Sequence, residues 1–284
     1  MTSALQVERL VDAARFLVEA RSLLLADEAR HNLILGLAET IRSDPLVYPE
    51  HSFWLVRDRQ DVVGAAMRTP PHNILIARPH DDAALAALAN HIGEGLPGAQ
   101  GSVPEIDAFV AAWCERRHVG ARAVFEQGIY ALREVSDVPR AQGVYRGATS
   151  DDHSLIVSWY MAFAREALNE GLAAADAERQ VRRRLDASAA GFRLWQHAGE
   201  PVSLCAFSGR TPHGIRIGPV YTPPEHRGHG YGTSLVAETS AELLASGYAF
   251  CFLFTDLTNP TSNAIYQRIG YERVCDSRQV AFFQ

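Results

Sequence analysis

The segment "RGHGYG" at residues 227–232 places an arginine and three glycines immediately before a stretch with helical spacing. The first amides of a helix have no partner within the helix, and the helix dipole adds partial positive charge there. Glycines allow the backbone to approach a ligand closely and to adopt positive φ angles. The segment therefore predicts an anion site, suited to a diphosphate. The predicted contributors are Arg227, Gly228, His229, Gly230, Tyr231, Gly232 and Thr233.

The spacing excludes two commoner phosphate motifs. A P-loop requires a Lys followed by Ser or Thr after its last glycine, and this segment has no such Lys. A dinucleotide fingerprint requires G-x-G-x-x-G, whereas the third glycine here comes one residue early. Nucleoside triphosphates and NAD are therefore poor candidates for the ligand.

The second half of the chain predicts strands and helices in an order that would position this segment. Strands are expected at "GVYRGAT", "RLWQHA", "PVSLCAFS", "GIRIGPVY" and "YAFCFLFT". Helices are expected at "DDHSLIVSWYMAFAREAL", with Ser150 or Asp151 as N-cap, and at "AAADAERQVRRRLDAS", "TSLVAETSAELLAS" and "SNAIYQRIG". The N-terminal stretch, residues 5–42, also has helical spacing. The fold class is α/β (α+β by another convention), with mixed, mostly antiparallel sheets flanked by helices.

A second motif follows the first. The stretch "FTDLTNPTSNAIYQRIGYERV" at residues 254–274 places Asn259 after an apolar strand, Tyr266 on the next helix and a Gly-Tyr pair after it. Together with R-G-x-G-x-G between a strand and an amphipathic helix, this resembles the two acyl-CoA motifs of the GNAT superfamily of N-acyltransferases. The resemblance covers residues 144–284 well and the first half in the order of its elements.

The resemblance implies an N-acetyltransferase with acetyl-CoA as co-substrate and no metal. Val220 and Tyr221 would offer backbone groups to the pantetheine arm, and residues 227–232 would hold the diphosphate. A backbone N–H near Val220 would stabilise the oxyanion. Tyr266 would supply a proton to the departing thiolate.

The sequence specifies the general base less clearly than the oxyanion donor and the proton donor. Asp256 follows the apolar strand near the point where two central strands are expected to part, and it is the first candidate. Glu166 and Glu170 lie on the helix that would line the acceptor side, and Glu225 borders the glycine segment. A chain of water molecules is a further alternative.

The chain also contains an internal repeat. Residues 53–79 and 192–219 share an order of strand, charged turn, strand, Arg-Thr-Pro turn and strand. Further along, the segment "VFEQGIYALREV" (124–135) resembles "IYQRIGYERVCD" (265–276). The repeat predicts two GNAT-like domains, 1–140 and 141–284, joined near "EVSDVPRAQG".

The first half lacks the chemistry of the second. In this matching Phe125 stands opposite Tyr266, so the donor hydroxyl is missing. The segment "ARPHDDAALA" (77–86) replaces the glycine segment and has no glycine, while Asp81 and Asp82 would repel a diphosphate. The first domain is therefore expected to have lost the CoA site.

Composition limits the partners. The net charge of −6 disfavours nucleic acid, and the four cysteines form no C-x-x-C pair, as is typical of a reducing compartment. The sequence predicts a cytoplasmic protein without a membrane partner, a monomer of two pseudo-equivalent domains or a homodimer. A small-molecule amine is the expected acceptor. The alternatives are a non-catalytic CoA-binding or regulatory module and, with less support, a nucleic-acid or protein-interaction domain.

Overall fold

The computed structural model describes residues 5–167 and 171–284. The chain folds into two compact units, each built from segments that are distant in sequence. The first unit contains Met1–Tyr130, Phe254–Asn259 and Arg273–Gln284, and the second contains Ala131–Leu253 and Pro260–Glu272. The predicted division into 1–140 and 141–284 concerns the two sequence repeats and stays a prediction.

In the first unit the strands lie in the order β1-β2-β3-β4-β5-β12-β6. They are β1 (Gln6–Leu10), β2 (Ser52–Asp58), β3 (Asp61–Arg68), β4 (Ile74–Ile76), β5 (Gly98–Ser102), β6 (Gly120–Leu132) and β12 (Glu272–Phe283). β4 and β5 pair in parallel, whereas β1 to β4 form antiparallel neighbours. The last strand of the chain thus completes the first unit, because Ser277–Ala281 pairs antiparallel with Gly98–Ser102.

The helices of the first unit cover both faces of its sheet. They are α1 (Ala13–Glu19), α2 (Arg21–Leu25), α3 (Asn32–Ser43), α4 (Ala83–His91) and α5 (Glu105–Arg117). One core lies under α1 to α3 and includes the stacked rings of Phe16 and Phe53. The other lies under α4 and α5 and includes Trp54 and Trp113. Apolar side chains are therefore removed from water on both faces of the sheet. This burial is the main source of stability for such a layer.

In the second unit the strands lie in the order β11-β10-β9-β8-β7. They are β7 (Val144–Gly147), β8 (Gly191–His197), β9 (Glu200–Ser208), β10 (Gly214–Tyr221) and β11 (Phe250–Asp256). Only the pairing of β10 with β11 is parallel among these described neighbours. The helices of this unit are α6 (His153–Ala167), α7 (Ala174–Asp186), α8 (Tyr231–Ala245) and α9 (Pro260–Ile269).

The predicted strands and helices of the second half are confirmed, with one local correction there and another at the N-terminus of the chain. Neither Ser150 nor Asp151 is the N-cap before α6; Thr149 begins a short 3₁₀ turn there, and Thr149 and Asp152 form a capping box. At the N-terminus, residues 6–10 form β1 rather than helix, since a neighbouring strand pairs with them. Pairing between distant strands overrides local helical spacing in this case.

The repeat is confirmed in its first part and wrong in its second. Both 53–79 and 192–219 form three antiparallel strands followed by a helix, as expected. However, residues 124–132 belong to strand β6, whereas Tyr266 lies on helix α9, so Phe125 is not the counterpart of Tyr266. The helix corresponding to α9 in the first unit is α5, and each is followed by a residue of positive φ, His118 and Gly270.

Candidate functional site

Strand β10 carries a bulge just before the glycine segment. It pairs with β11 through Gly214–Arg216 and continues to Tyr221. Its register with β9 shifts between Ile217 and Val220, where Gly218 has φ of +128°. Val220 then pairs with Cys205, and Tyr221 with Leu204. The predicted pantetheine residues thus lie on a strand end that is paired to β9 and extends beyond its pairing with β11.

The turn after β10 adopts the conformation that its glycines predict. Gly228 and Gly230 have φ of +81° and +79°, values that residues with a side chain adopt only at a steric cost. Gly230 is the N-cap of α8, and this cap has no side-chain hydrogen bond among the described residues. Gly228 and Gly230 are both exposed. The backbone just before α8 is therefore open to solvent.

These amides have no acceptor in the described part of the chain. Within α8, the Ser234 N–H is the first that donates to a backbone carbonyl, that of the N-cap residue Gly230, at 3.0 Å. The N–H groups from Gly228 to Thr233 donate to no described carbonyl or side chain. Successive unpaired amides at a helix start form a site for an anion. The structure thus leaves these amides without a described partner, and their role in holding a diphosphate stays a prediction.

The lack of a side chain at Gly232 matters for close packing and not for reversing the chain. A Cβ at this position would lie 3.3 Å from the Thr222 Oγ1 and 4.0 Å from the Ser203 Oγ. These two hydroxyls bond to each other at 2.8 Å. The absence of a side chain at Gly232 therefore lets α8 approach the end of β10 closely.

The rings of His229 and Tyr231 form a stack at the turn. His229 lies 5.4 Å from Tyr231 with their planes 13° apart, and His197 lies 5.5 Å from Tyr231. Tyr231 is buried, with 7% of its surface exposed. Its side chain is thus part of the support for the turn, and its contribution to a ligand would come from its backbone N–H.

Arg227 is held by three contacts in the second unit. Its Nε donates to the Thr222 carbonyl at 2.9 Å, and its Nη2 donates to Glu166 Oε2 at 2.6 Å. Its guanidinium carbon lies 5.9 Å from the centre of the Tyr221 ring. The Tyr221 hydroxyl donates to the other oxygen of Glu166 at 2.9 Å. No local sequence signal predicts this link, because Glu166 lies 61 residues before Arg227.

Tyr266 lies half-buried on α9. Its ring meets that of Tyr271 edge-on, with centroids 5.9 Å apart, and its hydroxyl makes no hydrogen bond to a described residue. Burial raises the pKa of the Tyr266 phenol well above its usual range. The hydroxyl therefore stays protonated at neutral pH and is available as a donor.

Asp256 and Asn259 belong to the segment Phe254–Asn259 of the first unit, whereas Tyr266 belongs to the second. Asp256 Oδ1 accepts hydrogen bonds from the Thr258 N–H and hydroxyl, both at 2.8 Å. The Asn259 N–H donates to the Asp256 carbonyl at 3.1 Å. The two residues thus close the turn between β11 and α9, and their roles in chemistry stay predictions. Of the other candidate bases, Glu170 lies outside the described residues.

The corresponding helix of the first unit begins differently. The Asp81 carboxylate accepts the Ala83 N–H at 2.8 Å at the start of α4. Just after β4, the Arg78 N–H donates to Nε2 of the buried His31 at 3.0 Å. The Asp81 side chain thus takes an amide at the start of α4, whereas the amides at the start of α8 have no described partner.

The first unit also lacks a tyrosine at the place of Tyr266. Tyr266 lies four residues before Gly270, and Cys114 lies four residues before His118, the two residues of positive φ that follow the helices. Burial raises the pKa of the Cys114 thiol. The conclusion that the first half has no donor hydroxyl at this place therefore rests on Cys114 instead of Phe125.

The described residues offer neither a cluster of metal ligands nor a membrane-spanning helix. No group of three or more His, Cys, Asp or Glu side chains among them is arranged to hold a metal ion. Within residues 5–167 and 171–284, the helices all fall short of the length and apolarity that crossing a membrane requires.

Comparisons with known proteins agree on the fold. A family model described as FR47-like protein matches residues 195–280. A GNAT-family acetyltransferase from Colwellia psychrerythraea matches with a TM-score of 0.61 and 10% identity over 98% of both chains. A GCN5-related N-acetyltransferase from Sphaerobacter thermophilus gives 0.59 and 14% identity over 98% of this chain and 95% of that one. No curated protein sequence matches the chain.

A further solved structure has the same two-fold organisation. It is a tandem GNAT protein from the clavulanic acid biosynthesis pathway, with a TM-score of 0.59 and 16% identity over 99% of this chain and 98% of that one. Identities this low establish the fold and leave the reaction open. The FR47-like match lies in the second half of the chain, and these solved structures cover nearly all of it, so the chain has the fold of tandem GNAT proteins.

Proposed function

We propose that the chain is an acyl-CoA-dependent N-acyltransferase, which moves an acetyl or other short acyl group from CoA to a primary amine of a small molecule. The second unit would bind the cofactor, and the first would not. One observation carries the proposal: the amides from Gly228 to Thr233 are unpaired within the described residues at the start of α8, and Gly228 and Gly230 are exposed. Arg227 adds a cation to the same turn.

The bound thioester would supply an activated acyl group, and the residues of the second unit would orient it and stabilise charge. The end of β10 around Val220 continues past its pairing with β11, so backbone groups there can lie along an extended ligand. A backbone N–H near Val220 would donate to the acyl oxygen as it gains negative charge.

Tyr266 would donate a hydrogen bond from its hydroxyl to the departing sulfur. A phenol with a raised pKa is a weak acid, and a thiol ordinarily has a pKa of about 8.5. The neutral hydroxyl would therefore stabilise the thiolate mainly through a hydrogen bond, with complete proton transfer disfavoured. Asp256, Glu166, Glu225 and a water chain stay candidates for the base that keeps the amine neutral.

The activity is tested by the release of free thiol. The full-length chain would be incubated with acetyl-CoA and a panel of primary amines, including amino acids, polyamines and aminoglycosides, and CoA thiol would be detected. We expect amine-dependent thiol release, with the acylated amine seen by mass spectrometry. Saturable CoA binding without thiol release for any amine would instead favour the alternative, a non-catalytic CoA-binding or regulatory module.

The stoichiometry of binding tests the division of labour between the units. Titration of the full-length chain with CoA by calorimetry should give one site per chain, because the Asp81 carboxylate takes an amide at the start of α4, the corresponding place in the first unit. Two sites of similar affinity would contradict the proposal that the first unit has lost the cofactor site.

A further inference from the structure

Glu166 links the cofactor turn to the helix α6. Its two carboxylate oxygens take different partners: Oε2 accepts from Arg227 Nη2 at 2.6 Å, and Oε1 accepts from the Tyr221 hydroxyl at 2.9 Å. Arg165 lies near the same carboxylate, with its Nη2 4.0 Å from Oε1. Tyr221 also contacts Trp159 of α6, with ring centroids 6.3 Å apart. One carboxylate therefore connects α6, β10 and the turn.

Because Glu166 pairs with Arg227, it competes with any anionic ligand of the turn for the Arg227 guanidinium. A carboxylate in contact with the guanidinium neutralises much of the charge that Arg227 would offer to a diphosphate. The same carboxylate would repel the diphosphate if it stayed in place. Arg227 is held to the turn separately by its bond to the Thr222 carbonyl, so it can change partners without leaving the turn.

We propose that Glu166 is a positioning residue for cofactor capture: it occupies Arg227 in the free chain and gives Arg227 up to the diphosphate when CoA binds. The inference rests on the proposed function. Glu166 would keep its bond to Tyr221 and its neighbour Arg165 after the exchange. Cofactor binding would thus change the charge environment of a carboxylate on α6.

The electrostatics of the free chain agree with this exchange. Arg227, followed by the Tyr221 hydroxyl, holds the pKa of the Glu166 carboxyl below its usual range. Glu166 is therefore charged at neutral pH in the free chain, and the pair with Arg227 must part before Arg227 can serve another anion. The Glu166 side chain is 32% exposed and the Arg227 side chain 52%, so solvent screens the pair and its loss costs little.

The test is the effect of Glu166→Gln on the affinity for CoA, measured by calorimetry on the full-length chain. The amide keeps the shape and a hydrogen bond to Tyr221 but removes the competing charge. We expect CoA to bind about threefold to fivefold more tightly, the range for a partly exposed ion pair. A general loss of structure would weaken binding, so a gain separates the proposal from a merely structural role.

Glu225→Gln is the matched control, because Glu225 lies in the same turn, is exposed, and makes no ion pair with a described residue. It should change CoA affinity less than Glu166→Gln. In an Arg227→Ala background, Glu166→Gln should give a smaller gain, because only the direct repulsion of the diphosphate is then removed. Pantetheine, which lacks phosphates, should bind the wild type and Glu166→Gln equally.

Each of the other results counts against the exchange. Equal effects of Glu166→Gln and Glu225→Gln, an undiminished gain without Arg227, or weaker binding by Glu166→Gln would overturn it while leaving the proposed function intact. Failure of the wild-type chain to bind CoA would overturn both.

Discussion

The Tyr266→Phe variant is expected to bind CoA as tightly as the wild type while its kcat falls by about a hundredfold or more, the usual contribution of a positioned proton donor. The hydroxyl makes no hydrogen bond to a described residue, and the ring keeps its edge contact with Tyr271, so folding should be little affected. The measurement is thiol release under saturating acetyl-CoA and amine, together with calorimetry for CoA.

Tyr271→Phe is the control for this variant. It removes a hydroxyl from the neighbouring ring, one that bonds to the Ser240 hydroxyl at 2.8 Å in the buried core. We expect its free energy of unfolding to fall by about 1 kcal/mol with kcat nearly unchanged, since the loss is that of a buried hydrogen bond. If Tyr266→Phe kept most of its kcat, Tyr266 would have no part in thiol release.

Introducing a carboxylate into the glycine turn should abolish most cofactor binding. Gly228 has φ of +81° and open space where a Cβ would lie, and Asn and Asp both tolerate such a φ better than other side chains. Gly228→Asp should bind CoA about tenfold to a hundredfold more weakly than Gly228→Asn, because a charge within several ångströms of the diphosphate costs about 1 to 4 kcal/mol. The difference should shrink at high salt.

The same pair of substitutions at Gly247 is the control. Gly247 also has a positive φ, +107°, and open space, but it follows the other end of α8. Gly247→Asp and Gly247→Asn should therefore bind CoA alike. Equal affinities of the two Gly228 variants would mean that the amides of the turn do not hold an anion.

Much of the second unit follows from local sequence. Apolar alternation and turn residues predict β8 to β10, and the continuous apolar run predicts β11, because each pattern reports which faces of a strand are buried. Positive φ at Gly228 and Gly230 follows from the absence of a Cβ. The turn before α8 was predictable because its chemistry lies in consecutive residues.

What sequence could not predict depends on residues far apart in the chain. The pairing of β12 with β5 joins the end of the chain to its first half. A repeat matched residue by residue along the sequence misplaces Phe125, because that residue lies on strand β6 whereas Tyr266 lies on helix α9. The bond between Glu166 and Arg227 likewise has no periodicity or spacing that reports it. Local patterns identify the elements, whereas tertiary pairing decides which side chains meet.

A crystal structure of the full-length chain with CoA would test the anion site without intermediate assumptions. We expect diphosphate oxygens within hydrogen-bond distance of the N–H groups of residues 228–233, with the Arg227 guanidinium on the phosphates and no longer on Glu166. A turn left empty at saturating CoA, or CoA bound elsewhere in the chain, would show that these amides do not hold the cofactor.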